Sequence, residues 1–292
     1  MNRHDLILME AAVVERLRRC SGVSLHSTLV NAPLIYDEEG CAALSSIYRE
    51  YMQVAEETGI PLILCTPTWR ANRERVDASG VKGSINTDAV QFMRSLNSGR
   101  TDVRIGGMLG CRNDCYKPEE GLSSTEAEAF HAWQINQLAD AGVDFLLAET
   151  LPFVEEAEGI AKAVAATDVP YVISFVISRD GHVLDGTPLL DAVRRVDAAV
   201  DRKPMGFMVN CAYPTFLCVD DQPPELFDRL IGYQANASSL DHCDLDNADQ
   251  LQSESVEEWA AEMRRLNRAF GMKILGGCCG TTADHLRAML SS

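Results

Sequence analysis

Met272-Lys273-Ile274-Leu275-Gly276-Gly277-Cys278-Cys279-Gly280 is the stretch on which the reading of this chain turns. An apolar run leads into glycines and then into two adjacent cysteines. Adjacent side chains of a strand point to opposite faces, so one buried seam would not use both sulfurs. Glycine frees the backbone to turn sharply and lets both sulfurs swing toward one point. A soft divalent metal at that point accounts for the arrangement. Zinc takes thiolates readily, and a catalytic zinc keeps three protein ligands and one open position. Two ligands stand here, so a third is expected elsewhere. Cys211, in Met208-Val209-Asn210-Cys211-Ala212-Tyr213-Pro214, is the best candidate because it also ends an apolar run.

The run before Cys278 is the last of eight. The others cover residues 6–9, 61–66, 103–108, 144–149, 171–176, 206–210 and, more weakly, 232–236. Short continuous apolar runs suit strands buried on both faces, as in a parallel sheet. Between them, residues 125–141, 151–166, 189–200 and 256–270 carry apolar positions at helical spacing. Ser124-Thr125-Glu126-Ala127-Glu128 reads as a capping pattern, and Gly142 and Gly271 stand where helix C-caps are expected. Strands alternating with helices over this length predict a single (β/α)₈ TIM barrel occupying residues 1–292. An open doubly wound sheet is the alternative. Residues 70–88 and 220–225 read as loop insertions.

A barrel gathers its chemistry at the C-terminal ends of the strands. The polar residues fall there: Glu10 after the first run, Thr66 and Thr68 after the second, Glu149 at the end of the fourth, Asn210-Cys211 at the sixth, Asn236 at the seventh and Cys278-Cys279 after the eighth. The sixth and eighth ends can converge across the rim, which supports Cys211, Cys278 and Cys279 as one site.

The bulk composition narrows the partners. A formal charge of −17 disfavours nucleic acid and anionic lipid, which need basic patches. No window approaches a membrane span, and no basic-then-apolar leader opens the chain, so a cytoplasmic protein is expected. Ten cysteines without a repeating framework then read as reduced or metal-bound. Cys20, Cys41, Cys65, Cys218 and Cys243 read as reduced packing residues. Cys111 and Cys115, four apart with no second pair, are ambiguous. Nothing in the sequence sets an oligomeric state.

With these pieces in hand, the chain resembles the homocysteine S-methyltransferase family, the zinc-thiolate enzymes that include betaine–homocysteine and S-methylmethionine–homocysteine methyltransferases. Gly276-Gly277-Cys278-Cys279-Gly280-Thr281 resembles the family's C-terminal zinc motif, and Val209-Asn210-Cys211 its upstream zinc cysteine. Ala148-Glu149-Thr150-Leu151-Pro152 and Asp185-Gly186-Thr187-Pro188-Leu189 resemble further family segments. The resemblance implies a TIM barrel, bound Zn²⁺, and methyl transfer from an onium donor such as S-methylmethionine, S-adenosylmethionine or betaine to a small thiol such as homocysteine. It implies that Glu149 holds the amino group of the acceptor; the other reading of Glu149 is a rim carboxylate paired with an arginine. Glu10, Thr68 and Asn236 are the further candidates for substrate contact.

The chain also departs from the family pattern. Glu10-Ala11-Ala12-Val13-Val14-Glu15 stands where the family opens with Asp-Gly-Gly-Met-Gly-Thr. Thr66-Pro67-Thr68-Trp69 replaces a Thr-Asn-Thr-Tyr, and Tyr233-Gln234-Ala235-Asn236 replaces a Tyr-Pro-Asn. The expected zinc cage is kept while the substrate walls differ, which points to altered acceptor or donor preference. A zinc-binding barrel that binds or senses a thiol without turnover is the competing reading. A third reading has the cysteines structural or redox-active, with no metal.

Overall fold

The computed structural model describes residues 5–240 and 254–291. Eight parallel strands close into a barrel in sequence order. They are β1 (Ile7–Met9), β2 (Leu62–Cys65), β3 (Val103–Gly110), β4 (Phe145–Leu151), β5 (Tyr171–Phe175), β6 (Gly206–Ala212), β7 (Leu230–Ala235) and β8 (Ile274–Gly277). Closure comes from pairing β1 with β8, Ile7 beside Ile274 and Leu8 beside Leu275.

The period-two alternation of the strands divides their side chains between two cores. Leu8, Leu62, Leu64, Ile105, Leu146, Ile173, Phe207, Tyr233 and Leu275 point outward into the layer shared with the helices. Met9, Ile63, Cys65, Phe145, Leu147, Val172, Met208 and Ile274 point inward and pack together. The lumen is therefore a filled plug. One step further along the same inward rows come Glu149, Ser174, Asn210 and Gln234, all buried. The alternation that plugs the barrel thus also delivers polar groups to its C-terminal mouth.

Helices α1 (Val14–Arg18), α2 (Glu38–Thr58), α3 (Arg73–Ser79), α4 (Ile85–Asn97), α5 (Ser124–Asp140), α6 (Val154–Ala165), α7 (Leu189–Ala198), α8 (Val256–Phe270) and α9 (Ala283–Leu290) surround the sheet. Three boundaries differ from the sequence reading. The capping box of α5 is formed by Ser123 with Glu126, one residue earlier than the pattern suggested. Helix α6 starts at Val154 and not at 151, because Leu151 still pairs with Phe175 of β5. Residues 70–88 hold α3 and the start of α4 instead of a plain insertion; Asn72 caps α3 by accepting from the Arg75 amide at 3.0 Å. Among the described residues, β6 and β7 are joined by 3₁₀ turns (Pro214–Leu217 and Pro224–Asp228) in place of an α-helix. Cys243 lies outside the described residues.

Candidate metal centre

Cys211 belongs to β6 but breaks its regularity. The pairing with β7 shifts between Asn210 and Ala212, and Cys211 is the extra residue, at φ 55°. A bulge re-aims the side chain it carries. The left-handed region is costly for a residue with a Cβ, so the surroundings must hold it. Asn210 and Asn236 do so. The Asn210 Nδ2 donates to the Cys211 sulfur at 3.5 Å. The Asn236 Nδ2 donates to the Cys211 carbonyl at 3.0 Å, and its Oδ1 accepts from the Cys279 amide at 3.1 Å. Asn236 therefore ties the two cysteine segments together through their backbones.

The opposite wall repeats the device. Strand β4 is irregular between Ala148 and Leu151, and Thr150 stands at φ 61° beside Glu149. Asn210 links the two irregular strands: its Oδ1 accepts from the Thr150 amide at 2.9 Å and from the Ser174 hydroxyl at 2.7 Å, and its Nδ2 donates to the Thr150 hydroxyl at 2.7 Å. Asn210→Ala should leave several of these buried groups unpaired, at about 1–3 kcal/mol each. Urea unfolding is expected to show that loss, and metal retention in dialysis should fall with it. A variant as stable and as metal-retentive as the parent would mean that Asn210 does not carry the rim.

Cys278 and Cys279 follow β8, whose ladder continues through the Cys278 amide to the Ala235 carbonyl at 2.7 Å. Gly280, at φ 81°, turns the chain away. The segment after β1 braces this turn. Gly277 donates to the Glu10 carbonyl at 3.0 Å. The Ala12 amide donates to Thr281 Oγ1 at 3.3 Å, and that hydroxyl donates to the Cys278 carbonyl at 2.6 Å. The Gly280 amide donates to the Glu15 carboxylate, which also pairs with Arg19 at 2.8 Å.

The sulfurs of Cys211, Cys278 and Cys279 lie within 4.8 Å of one another. A tetrahedral zinc with Zn–S bonds of about 2.3 Å needs sulfurs about 3.8 Å apart, so the triad fits the ion with a small inward movement. Cys211 is buried, Cys278 is half-buried and Cys279 is exposed, which leaves one side of the triad facing open space. Hydrogen bonds to Cys211 and Cys279, then burial, hold the Cys278 thiol well above its ordinary range. Three thiolates this close together repel one another, and Zn²⁺ would supply the balancing positive charge. Cys115 lines the same cavity but is not part of the close sulfur group.

The triad opens on a cavity of about 220 Å³ at the barrel mouth. Glu10 and Glu149 both line it. Glu10 is 4% exposed, and its Oε2 accepts from the Cys65 amide at 2.8 Å. Burial raises its carboxyl well above the usual range and the charge of Glu149 adds to the rise, while the Cys65 hydrogen bond works the other way. Glu149 is 7% exposed, its Oε1 has no hydrogen-bond partner, and burial pushes its carboxyl up to about 8. No ion pair of Glu149 with an arginine is present among the described residues. Ala11 and Ala12 line the cavity where the family pattern has glycines.

Two sequence candidates sit elsewhere. The turn after β2 aims Thr68 at β3, where its hydroxyl donates to the Met108 carbonyl at 2.6 Å; Thr66, Pro67 and Trp69 face the cavity instead. Asn236 is spent on the cysteine backbones and does not line the cavity. Sequence reasoning gave no role to Gln234 or Tyr116, which do line it. Gln234 was visible as an inward strand position beside a departure from the family pattern. Tyr116 sits in an irregular segment with no periodicity to reveal it.

Comparison with known proteins agrees with this geometry. A family model described as Homocysteine S-methyltransferase matches residues 7–291. The chain is 22% identical to the homocysteine S-methyltransferase YbgG of Bacillus subtilis (strain 168), covering 98% of this chain and 94% of that protein. It is 22% identical to the homocysteine S-methyltransferase of Escherichia coli (strain K12), covering 99% and 96%. The metallated form of the homocysteine methyltransferase MmuM from Escherichia coli has the same fold, with a TM-score of 0.75 at 20% identity over 98% of this chain and 96% of that one. The family match over nearly the whole chain, joined to a cysteine triad at the barrel mouth, places this protein in the homocysteine S-methyltransferase family.

Proposed function

We propose that this protein is a zinc-dependent S-methyltransferase that moves a methyl group from an onium donor to a small amino-bearing thiol, with homocysteine as the first acceptor to test. The observation that carries the reading is a three-sulfur cluster opening onto a cavity at the barrel mouth that also holds an unpartnered carboxylate oxygen. Cys211, Cys278 and Cys279 would hold Zn²⁺, and the bound ion would supply the positive charge that favours a substrate thiol as its nucleophilic thiolate. Glu149, with Glu10 beside it, would take the acceptor's ammonium group and fix the direction of its chain. Val13, Val14, Trp69 and Met108 give the cavity an apolar wall for the carbon chains of the substrates. In the transfer, the acceptor sulfur forms the new S–CH₃ bond as the donor's onium bond breaks, and the electron pair of that bond returns to the onium atom and neutralises it. The residues therefore have to position sulfur and methyl carbon in line, and no side-chain acid or base is needed in that step.

The test is incubation of zinc-loaded protein with homocysteine and each of S-methylmethionine, betaine and S-adenosylmethionine carrying a labelled methyl group. Label is expected in methionine with at least one donor. Tight thiol binding with no label transferred from any donor would favour the barrel that binds without turnover.

A further inference from the structure

The cavity has a second unpartnered acceptor besides Glu149. Gln234 lies on β7 between Asn210 of β6 and Gly276 of β8. It is 4% exposed, and its Oε1 has no hydrogen-bond partner. Gln234, Glu149 and Glu10 all line the cavity that holds the three sulfurs. Arg18 is the cationic side chain among the lining residues, and it is exposed at the rim. A buried amide oxygen without a partner costs about 1–3 kcal/mol, and such groups in folded proteins are nearly always satisfied. A ligand with N–H donors is the group that would satisfy this one.

We propose that Gln234 is a specificity-determining residue, the third oxygen of a cradle with Glu10 and Glu149 that selects a thiol bearing a free primary amine. The inference rests on the methyl-acceptor reading above. An ammonium group carries three N–H donors and no acceptor, so three oxygens from three strand ends can take all of them. The chemistry also explains an amide at this place. Two carboxyl groups already share the cavity, where burial makes both hard to ionise and a charge on Glu149 makes it harder still for Glu10. A third would add charge that the ligand's single positive charge could not balance. The neutral amide accepts the last hydrogen bond without that penalty. N-acylated thiols and thiols without the amine would leave one or more cradle oxygens unpaired and bind poorly.

The experiment measures thiol binding to the zinc-loaded protein by calorimetry. The two probes are homocysteine and 4-mercaptobutanoate, the same skeleton without the amine. The wild type is compared with Gln234→Met, close in length and lacking the oxygen, and with Gln234→Leu as a second variant should the first fold poorly. Zinc content is checked in each. The wild type is expected to prefer homocysteine, and each variant should lose about tenfold in homocysteine affinity while binding 4-mercaptobutanoate unchanged. Equal losses for both thiols would show a role in cavity shape and overturn the assignment, as would unchanged affinity for homocysteine. Failure of both thiols to bind the zinc-loaded wild type would instead overturn the methyl-acceptor reading and the cradle with it.

Discussion

Replacing any one of Cys211, Cys278 and Cys279 with Ala is expected to strip most of the metal from the protein and abolish methyl transfer. Each sulfur belongs to the single close group on the described residues that can hold an ion. Loss of an outer partner of a metal ligand already costs about 10–100-fold in affinity, and loss of a ligand itself should exceed that. Zinc per chain after dialysis is the direct measure, with circular dichroism to confirm that the barrel persists. X-ray absorption of the intact protein should show three protein sulfurs, and an added sulfur neighbour when thiol is present. Full zinc in the triple Ala variant would move the site elsewhere, and Cys111 and Cys115 would then be the first to examine.

Glu149→Gln should weaken acceptor binding by roughly 10–100-fold, the value of about 1.5–3 kcal/mol for a charge-assisted hydrogen bond. Zinc content should stay the same, because Glu149 is outside the sulfur group. The same variant makes a stability prediction with a definite sign. Burial raises the Glu149 carboxyl from 4.5 to about 8. Between those values the folded protein keeps a proton that the unfolded chain has released. The Glu149 contribution to the stability of the zinc-free protein should therefore fall as pH rises through that window and level off above about pH 8. Glutamine cannot ionise, so this part of the decline should vanish in Glu149→Gln, leaving the variant more stable than the wild type at pH 8. Denaturant midpoints from pH 5 to 9 read the difference. Parallel curves for the two proteins would show that Glu149 is not held neutral.

The barrel was legible because most of its strands are buried on both faces and read as short apolar runs, with Arg104 in β3 and Gln234 in β7 as the interruptions. The triad was legible because Cys211 and Cys278-Cys279 end two such runs. What sequence could not supply was backbone geometry. Cys211 and Thr150 take left-handed conformations at strand irregularities, and neither carries the glycine that would announce one. Helix α2 escaped notice even though Asp37 caps it by accepting from the Gly40 amide at 2.7 Å, and even though it buries Leu44, Ile47, Tyr48 and Tyr51. Thr68 and Asn236 stand at the rim but bond to backbone groups there, since one residue of turn decides whether a side chain meets the cavity or the backbone.

The bracing of the cysteine turn by the segment after β1 sets an order of events during synthesis. Strand β1 is made first and waits for β8, the last strand, before its second edge is covered. Until then the growing sheet has two open edges, which invite pairing with other chains. Cys211 emerges in that interval with neither of its sulfur neighbours yet made. A site built from all three sulfurs can therefore form only after β8 and the Cys278-Cys279 turn have been made.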